Sequence, residues 1–250
     1  MKVAVARAIG VAHRDGGVCE DAAVATCVRD LSGGINLLAV VADGAGSAQH
    51  GAIGAHIATR MIHRLLAEHL VNFGFPTPVE ITTAIMATRA AITLTAKNFS
   101  LPTRAFASTL LGAILADDGR IAALQIGDGA IVCQTGEILG LAFAPDNGRY
   151  ANETHFLADD DWIKHLRLLV QLQSRVDALA LTTDGLQRLC LETGPLIPYG
   201  PFFRPLFAQL QGSGPSDMPS VSHDLRVWLN AAAINQRTED DKAIVLACRM

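Results

Sequence analysis

Residues 35–47 read INLLAVVADGAGS. Apart from Asn36, every residue from Ile35 to Ala42 is apolar. Consecutive apolar residues mark a strand buried on both faces. Asp43 ends it, and the turn Gly44-Ala45-Gly46-Ser47 opens a helix of roughly twenty residues. Within that helix Ile53, Ile57, Met61 and Leu65 recur at helical spacing, with Ala58, Ile62 and Leu66 beside them, and predict its apolar face. Gly74, Pro76 and Pro78 break the pattern before a second helix over 79–98. Upstream, residues 3–12 and 22–29 read as strands around a polar loop, His13–Asp21. Downstream, strands at 108–116, 120–126 and 130–134 are joined by Asp118-Gly119 and Asp128-Gly129, both read as hairpin turns. An irregular polar stretch, 136–163, precedes strands at 166–172 and 178–183. Helices at 201–211 and 217–235 follow, then a final strand at 243–248. Strands clustered by hairpins with segregated helices indicate an α+β sandwich rather than regular βαβ alternation. The 250 residues read as one domain.

Composition narrows the function classes. Half of the residues are hydrophobic and 18% are charged, which excludes a disordered chain. The apolar runs are far shorter than the ~20 residues that span a bilayer. Arg7 interrupts the apolar N-terminus, which reads as a strand rather than a signal peptide. The net charge of −4 and the scattered basic residues argue against a nucleic-acid partner. Cys19, Cys27, Cys133, Cys190 and Cys248 form no CxxC pair, and read as reduced thiols of a cytoplasmic protein rather than a zinc site.

Acidic residues fall at strand ends. Asp43, Asp128 and Asp184 each end an apolar run and precede a glycine; Glu20 and Asp21 precede AAVATC; Asp240 and Asp241 stand just before AIVLAC. The plain reading of any one Asp-Gly pair is a turn. Five such strand ends at one rim pose an electrostatic problem, because two carboxylates about 4 Å apart repel by roughly 4 kcal/mol at an effective dielectric near 20. Either some stay protonated or a divalent cation sits among them. All-oxygen ligands suit Mg²⁺ or Mn²⁺. Two such ions sharing a carboxylate can polarise a phosphoryl group and lower the pKa of a bridging water. Gly44, without a Cβ, leaves room for its carbonyl to approach a metal.

VVADGAGSAQHGAIGA (40–55), ASTLLGAIL (107–115), IGDGAIV (126–132), LTTDGL (181–186) and DDKAIVLA (240–247) resemble, in that order, the motifs of metal-dependent protein phosphatases of the 2C type. CEDA (19–22) is similar to their Glu-Asp motif, and YANETHFL (150–157) to a bacterial branch. The resemblance runs from about Gly10 to Ala247. It implies a four-layer α-β-β-α sandwich of two mostly antiparallel sheets flanked by helices. It implies a two-metal centre, with Asp43 bridging both ions, Asp184 and Asp240 completing one, and Glu20 with the Gly44 carbonyl serving the other. Asp128 matches the position of a third, looser metal in bacterial members. Asp241 stands where the family often has Asn and supports the ligands from behind, and the adjacent Asp21 orients a ligand or a metal-bound water.

Three departures stand out. Ala45 occupies the place of a histidine that many eukaryotic members use, so no general acid is assigned. Gly16 occupies the place of a phosphate-binding arginine. Arg14 can replace it if the loop bends; its plain reading is a surface arginine. His13 beside it reads either as a cleft residue or as an ordinary loop histidine. Ala243 replaces a threonine. Residues 136–162 correspond to the family's flap, where Arg149, Tyr150 and Asn152 read as substrate contacts or as loop packing, and Asp159–Asp161 as a solvated face. The implied activity is Mg²⁺- or Mn²⁺-dependent hydrolysis of phosphoserine and phosphothreonine on proteins, by direct attack of a metal-bridging water. The implied partners are phosphorylated proteins, a serine/threonine kinase or its targets, in a bacterial cytoplasm, with no nucleic acid and no membrane. Two alternatives stay open at this point: a pseudophosphatase that binds phosphoprotein, and a small-molecule phosphoesterase.

Overall fold

The structure is a computed structural model, described for residues 1–13, 17–143, 154–173, 175–192, 194 and 197–250. Its strands form two five-stranded sheets in which every neighbouring pair is antiparallel. One sheet runs β1 (Lys2–Ala8), β10 (Lys242–Cys248), β9 (Ala178–Thr182), β6 (Ala130–Thr135), β7 (Ile138–Leu141). The other runs β2 (Ala22–Arg29), β3 (Ile35–Ala42), β4 (Leu110–Ala116), β5 (Ile121–Ile126), β8 (Arg167–Gln171). The helices α1 (Gly51–Phe73) and α2 (Pro78–Asn98) cover the second sheet. The first is covered by α5 (Gly200–Gly212) and α6 (Met218–Leu229), together with α4 (Gln187–Cys190). Short α3 (Trp162–His165) and α7 (Ala232–Asn235) complete the set. The result is the α-β-β-α sandwich that the resemblance implied.

Strand periodicity builds the layers. In β3 Leu38, Val40 and Ala42 face α1 and α2, while Leu37, Ala39 and Val41 pack between the sheets. In β10 Ile244, Leu246 and Cys248 face α5 and α6, and Val245 and Ala247 join the same inner layer. Leu37–Ala42 of β3 and Ala243–Cys248 of β10 are buried throughout, which explains their uninterrupted apolar sequence.

Four sequence expectations need correction. The first strand ends at Ala8, not residue 12, and a short helical turn occupies Val11–His13. On α1 the buried face is Gly54, Ala55, Ala58, Thr59, Ile62, Leu66 and Leu70, whereas Ile53 is exposed and Ile57, Met61 and Leu65 lie at the margin. Small residues win that face because the backbone approaches closely: a Cβ on Gly54 would collide with the Phe106 carbonyl. The stretch 136–163 includes β7, which pairs with β6. Residues 217–235 hold two helices, α6 and α7, not one.

Asp118-Gly119 does close a hairpin, β4 to β5. Asp128-Gly129 does not. There the chain leaves the second sheet at β5 and enters the first at β6. Gly127 has φ +105°, and a Cβ on Gly129 would lie 2.5 Å from the Thr182 carbonyl oxygen. Both glycines are therefore demanded by a sheet-to-sheet crossing.

Candidate functional site

Register alone brings the acidic residues to one edge. Ala22 pairs with Ala42, so Asp21 and Asp43 leave the second sheet side by side. In the first sheet Thr182 pairs with both Ile244 and Ala130, and Ala8 pairs with Lys242. The ends bearing Asp184, Asp240, Asp241, Asp128 and Gly10 therefore share an edge. The two edges are tied together. Thr183 Oγ1 donates to Asp21 Oδ2 at 2.6 Å and accepts from the Ala243 amide at 2.9 Å.

Asp241 is the hub. Its carboxylate is 2% exposed. Oδ1 accepts from the Gly10 amide at 2.6 Å; Oδ2 accepts from the Glu20 amide at 2.6 Å and lies 3.1 Å from His13 Nδ1. The Asp241 amide in turn donates to Asp240 Oδ1 at 2.8 Å. Lys242 is fully buried, and its ammonium donates to the Asp240 carbonyl at 3.0 Å and Asn235 Oδ1 at 3.1 Å. A Cβ on Gly185 would collide with the Asp241 carbonyl, so that glycine lets Asp184 sit against this segment.

On the other sheet the Asp43 amide donates to Thr109 Oγ1 at 2.8 Å. The Gly44 amide donates to the Glu20 carbonyl at 3.2 Å. Glu20 Oε2 lies 3.6 Å from the Cβ position of Gly46, which sets that carboxylate beside the Gly44–Gly46 turn. A Cβ on Gly44 would collide with the Gly51 backbone, so the entry of α1 also requires this glycine. Ala45 is buried in a small apolar cluster with Ala107 and Ala158.

The electrostatics follow from burial and crowding. Asp43 is held well above the usual carboxylate range, first by burial and then by the charges of Asp21 and Asp184. Asp21 is raised by burial despite the Thr183 hydrogen bond. Asp184 is pushed up to about 7 by burial, then by Asp128 and Asp240. Burial raises Glu20 as well. Asp21 Oδ1 and Asp128 Oδ1 are buried with no hydrogen-bond partner, while Asp128 Oδ2 accepts from Thr154 Oγ1 at 2.7 Å. Buried carboxylate oxygens without donors are rare and need a counter-charge. Among the described residues no three acidic, histidine or cysteine side chains close into a finished cage; the carboxylates line a rim. The side-chain donors at this edge are all oxygen, the ligand type that suits hard divalent cations.

Register and these hydrogen bonds bring Glu20, Asp21, Asp43, Gly44, Asp128, Asp184, Asp240 and Asp241 to one edge of the sandwich. Arg14 lies outside the described residues, as do Arg149, Tyr150 and Asn152 of the flap. Asp159–Asp161 serves ion pairs with Arg89, Arg104, Lys164 and His165 rather than the rim. Reasoning from sequence missed Thr109, Thr183 and Lys242. The LTTDGL motif did carry a signal for Thr183: a hydroxyl beside Asp184, directly after the strand Ala178–Thr182.

Comparison with known proteins agrees with this fold. The sequence model of the family "Protein phosphatase 2C" matches residues 9–230. Serine/threonine-protein phosphatase 3 of Escherichia coli (strain K12) is 35% identical over 209 residues, covering 83% of this chain and 81% of that protein. A bacterial serine phosphatase crystal structure superposes with a TM-score of 0.65 at 15% identity, covering 100% of this chain and 98% of the other. The serine/threonine phosphatase Stp1 from Staphylococcus aureus gives 0.64 at 14% identity, with 100% and 96% covered. PppA, described as a key regulatory component of T6SS in Pseudomonas aeruginosa, gives 0.62 at 17% identity, with 99% and 97% covered. At such identities the superpositions speak for the fold alone.

Proposed function

The chain belongs to the protein phosphatase 2C family, and on that premise we propose that it hydrolyses phosphoserine and phosphothreonine on proteins with Mg²⁺ or Mn²⁺ at the carboxylate rim. The observation that carries the metal reading is the crowding of Asp43, Asp21, Asp184 and Asp128, with two carboxylate oxygens left without donors. Asp43, Asp184, Asp240, Glu20 and the Gly44 carbonyl would hold two ions, and Asp128 a third. Bound divalent cations would polarise the phosphoryl ester and lower the pKa of water, so no covalent phosphoenzyme is needed.

The chain's own residues position this set. Asp241 fixes the Glu20 and Gly10 backbone. Thr183 orients Asp21 behind Asp43, and Lys242 anchors the Asp240 backbone. Arg14 would take two phosphate oxygens with its planar guanidinium. We take the 250 residues as one catalytic domain with its flap at 136–162. It would act in a bacterial cytoplasm on the targets of a serine/threonine kinase. Among the described residues no helix is long and apolar enough to cross a membrane.

The test is turnover of p-nitrophenyl phosphate and a phosphothreonine peptide with Mn²⁺, Mg²⁺ or EDTA, with Asp43→Ala as control. Metal-dependent turnover of both, lost in the variant, is expected. Metal binding without turnover would instead make this a phosphoprotein-binding pseudophosphatase. Turnover of the small ester alone would point to a small-molecule phosphoesterase.

A further inference from the structure

The proposed reaction leaves one proton without a donor. The oxygen of serine or threonine is a poor leaving group unless it is protonated as its ester bond breaks. Ala45 has no proton to give, and it faces Ala107 and Ala158. The geometry points to His13 as the acid that protonates this leaving oxygen, an inference that rests on the phosphatase reading above.

Three observations carry it. First, the ring is oriented by a fixed partner. His13 Nδ1 lies 3.1 Å from Asp241 Oδ2, and that carboxylate is itself held by the Gly10 and Glu20 amides, each at 2.6 Å. A carboxylate on Nδ1 makes that nitrogen a donor and leaves Nε2 as the working nitrogen. Second, Nε2 is available. Among the described residues it has no hydrogen-bond partner, and the side chain is 34% exposed although its anchor is buried. Third, the ring stands at the rim. His13 Nδ1 and the Glu20 amide converge on one oxygen atom of Asp241. His13 therefore occupies the Glu20 side of the rim.

The step balances as follows. The phosphorus–oxygen ester bond breaks, and its electron pair passes to the serine or threonine oxygen. That oxygen takes the proton from Nε2. A water oxygen forms the new bond to phosphorus, and a proton released from that water returns to Nε2 through solvent. The products are the free hydroxyl side chain and inorganic phosphate.

Leaving groups of different basicity separate this role from a structural one. Single-turnover rates of the Mn²⁺-loaded full chain are compared for a phosphothreonine peptide and for p-nitrophenyl phosphate, whose leaving group departs without a proton. His13→Gln is expected to lose about 100-fold on the peptide and less than about tenfold on the nitrophenyl ester. Added imidazole should restore part of the peptide rate in His13→Ala. Equal losses on both esters, or no rescue together with a raised Mn²⁺ requirement, would overturn the proposal and make His13 only a clip on the Glu20 loop. A wild-type chain that turns over neither ester would sink the phosphatase reading first, and the role of His13 with it. Retained turnover of the nitrophenyl ester by each variant shows that it has folded.

Discussion

The second sheet carries aspartates at both of its ends, and the two ends are electrostatic opposites. At the far end Asp30 closes β2. Its Oδ1 accepts from the Ser32 amide and hydroxyl and the Gly34 amide at 2.7–3.0 Å, and its Oδ2 accepts from Asn36 Nδ2 at 2.8 Å. These bonds, with the Ser32 contact foremost, hold Asp30 below the usual carboxylate range. Asp117 beside it accepts from the Ile35 amide at 2.9 Å. At the rim, Asp21 and Asp43 end the same strands, face further carboxylates and are pushed upward. The sequence context is similar, an acid at a strand end near a glycine. Whether the chain itself supplies the donors distinguishes a turn aspartate from one in a crowd of carboxylates.

The sharpest way to break that contrast is Asp43→Asn. If the rim is built for charge that the fold alone does not neutralise, this change removes repulsion from the metal-free protein while destroying the site. Turnover with Mn²⁺ should fall by roughly 1,000-fold or more. Thermal melting in EDTA should rise by a few degrees, since about 1 kcal/mol shifts the midpoint by roughly 2–4 °C in a chain of this size. A fall in the EDTA midpoint would show that Asp43 is structurally satisfied like Asp30.

The mirror experiment is Asp30→Ala. It strips a carboxylate from four donors and leaves them buried or half-buried. Denaturant unfolding should show a loss of about 2 kcal/mol, with turnover per folded molecule unchanged. A loss of turnover would mean that the two ends are coupled through β2 and β3, contrary to the contrast drawn here.

Much of this was legible in the sequence, for identifiable reasons. The uninterrupted apolar runs of β3 and β10 announce strands buried on both faces. The Asp-Gly pairs at 43, 128 and 184 announce strand ends, and antiparallel register aligns them with Glu20-Asp21 and Asp240-Asp241 at one edge. Features that depend on distant partners were not legible. His13 and Asp241 are 228 residues apart in sequence, and Thr183 and Asp21 are 162 apart. Nothing local marks either pair. Asp128-Gly129 has the sequence of a hairpin turn but the job of a crossing, because β6 finds its partner in the other sheet. The α1 face was legible in part: Ala58, Ile62 and Leu66 are buried as the spacing suggested, whereas Ile53 is exposed and Gly54 and Ala55 are buried, the close approach of Gly54 to the Phe106 carbonyl having no mark in the apolar pattern.

The finest discrimination between the two ends comes from pH, because their contributions to stability have opposite signs. Asp30 has a lowered folded-state pKa. Its contribution is present above the unfolded value, near 3.8, and is lost as pH falls through the acid range. Asp184 is raised to about 7, and Asp43 and Asp21 are raised with it. Between about pH 4 and pH 7 the folded rim binds protons that the unfolded chain has released, so stability falls as pH rises through that window. In EDTA the melting temperature should therefore peak near pH 4–5 and decline by a few degrees toward pH 8. Mn²⁺ favours the ionised rim and should flatten the descending limb, most strongly at the highest pH. Asp43→Asn should flatten that limb without metal, and Asp30→Ala should flatten only the acid limb. A descending limb that survives both Mn²⁺ and Asp43→Asn would place its origin outside the carboxylate rim and dissolve the distinction between the two ends.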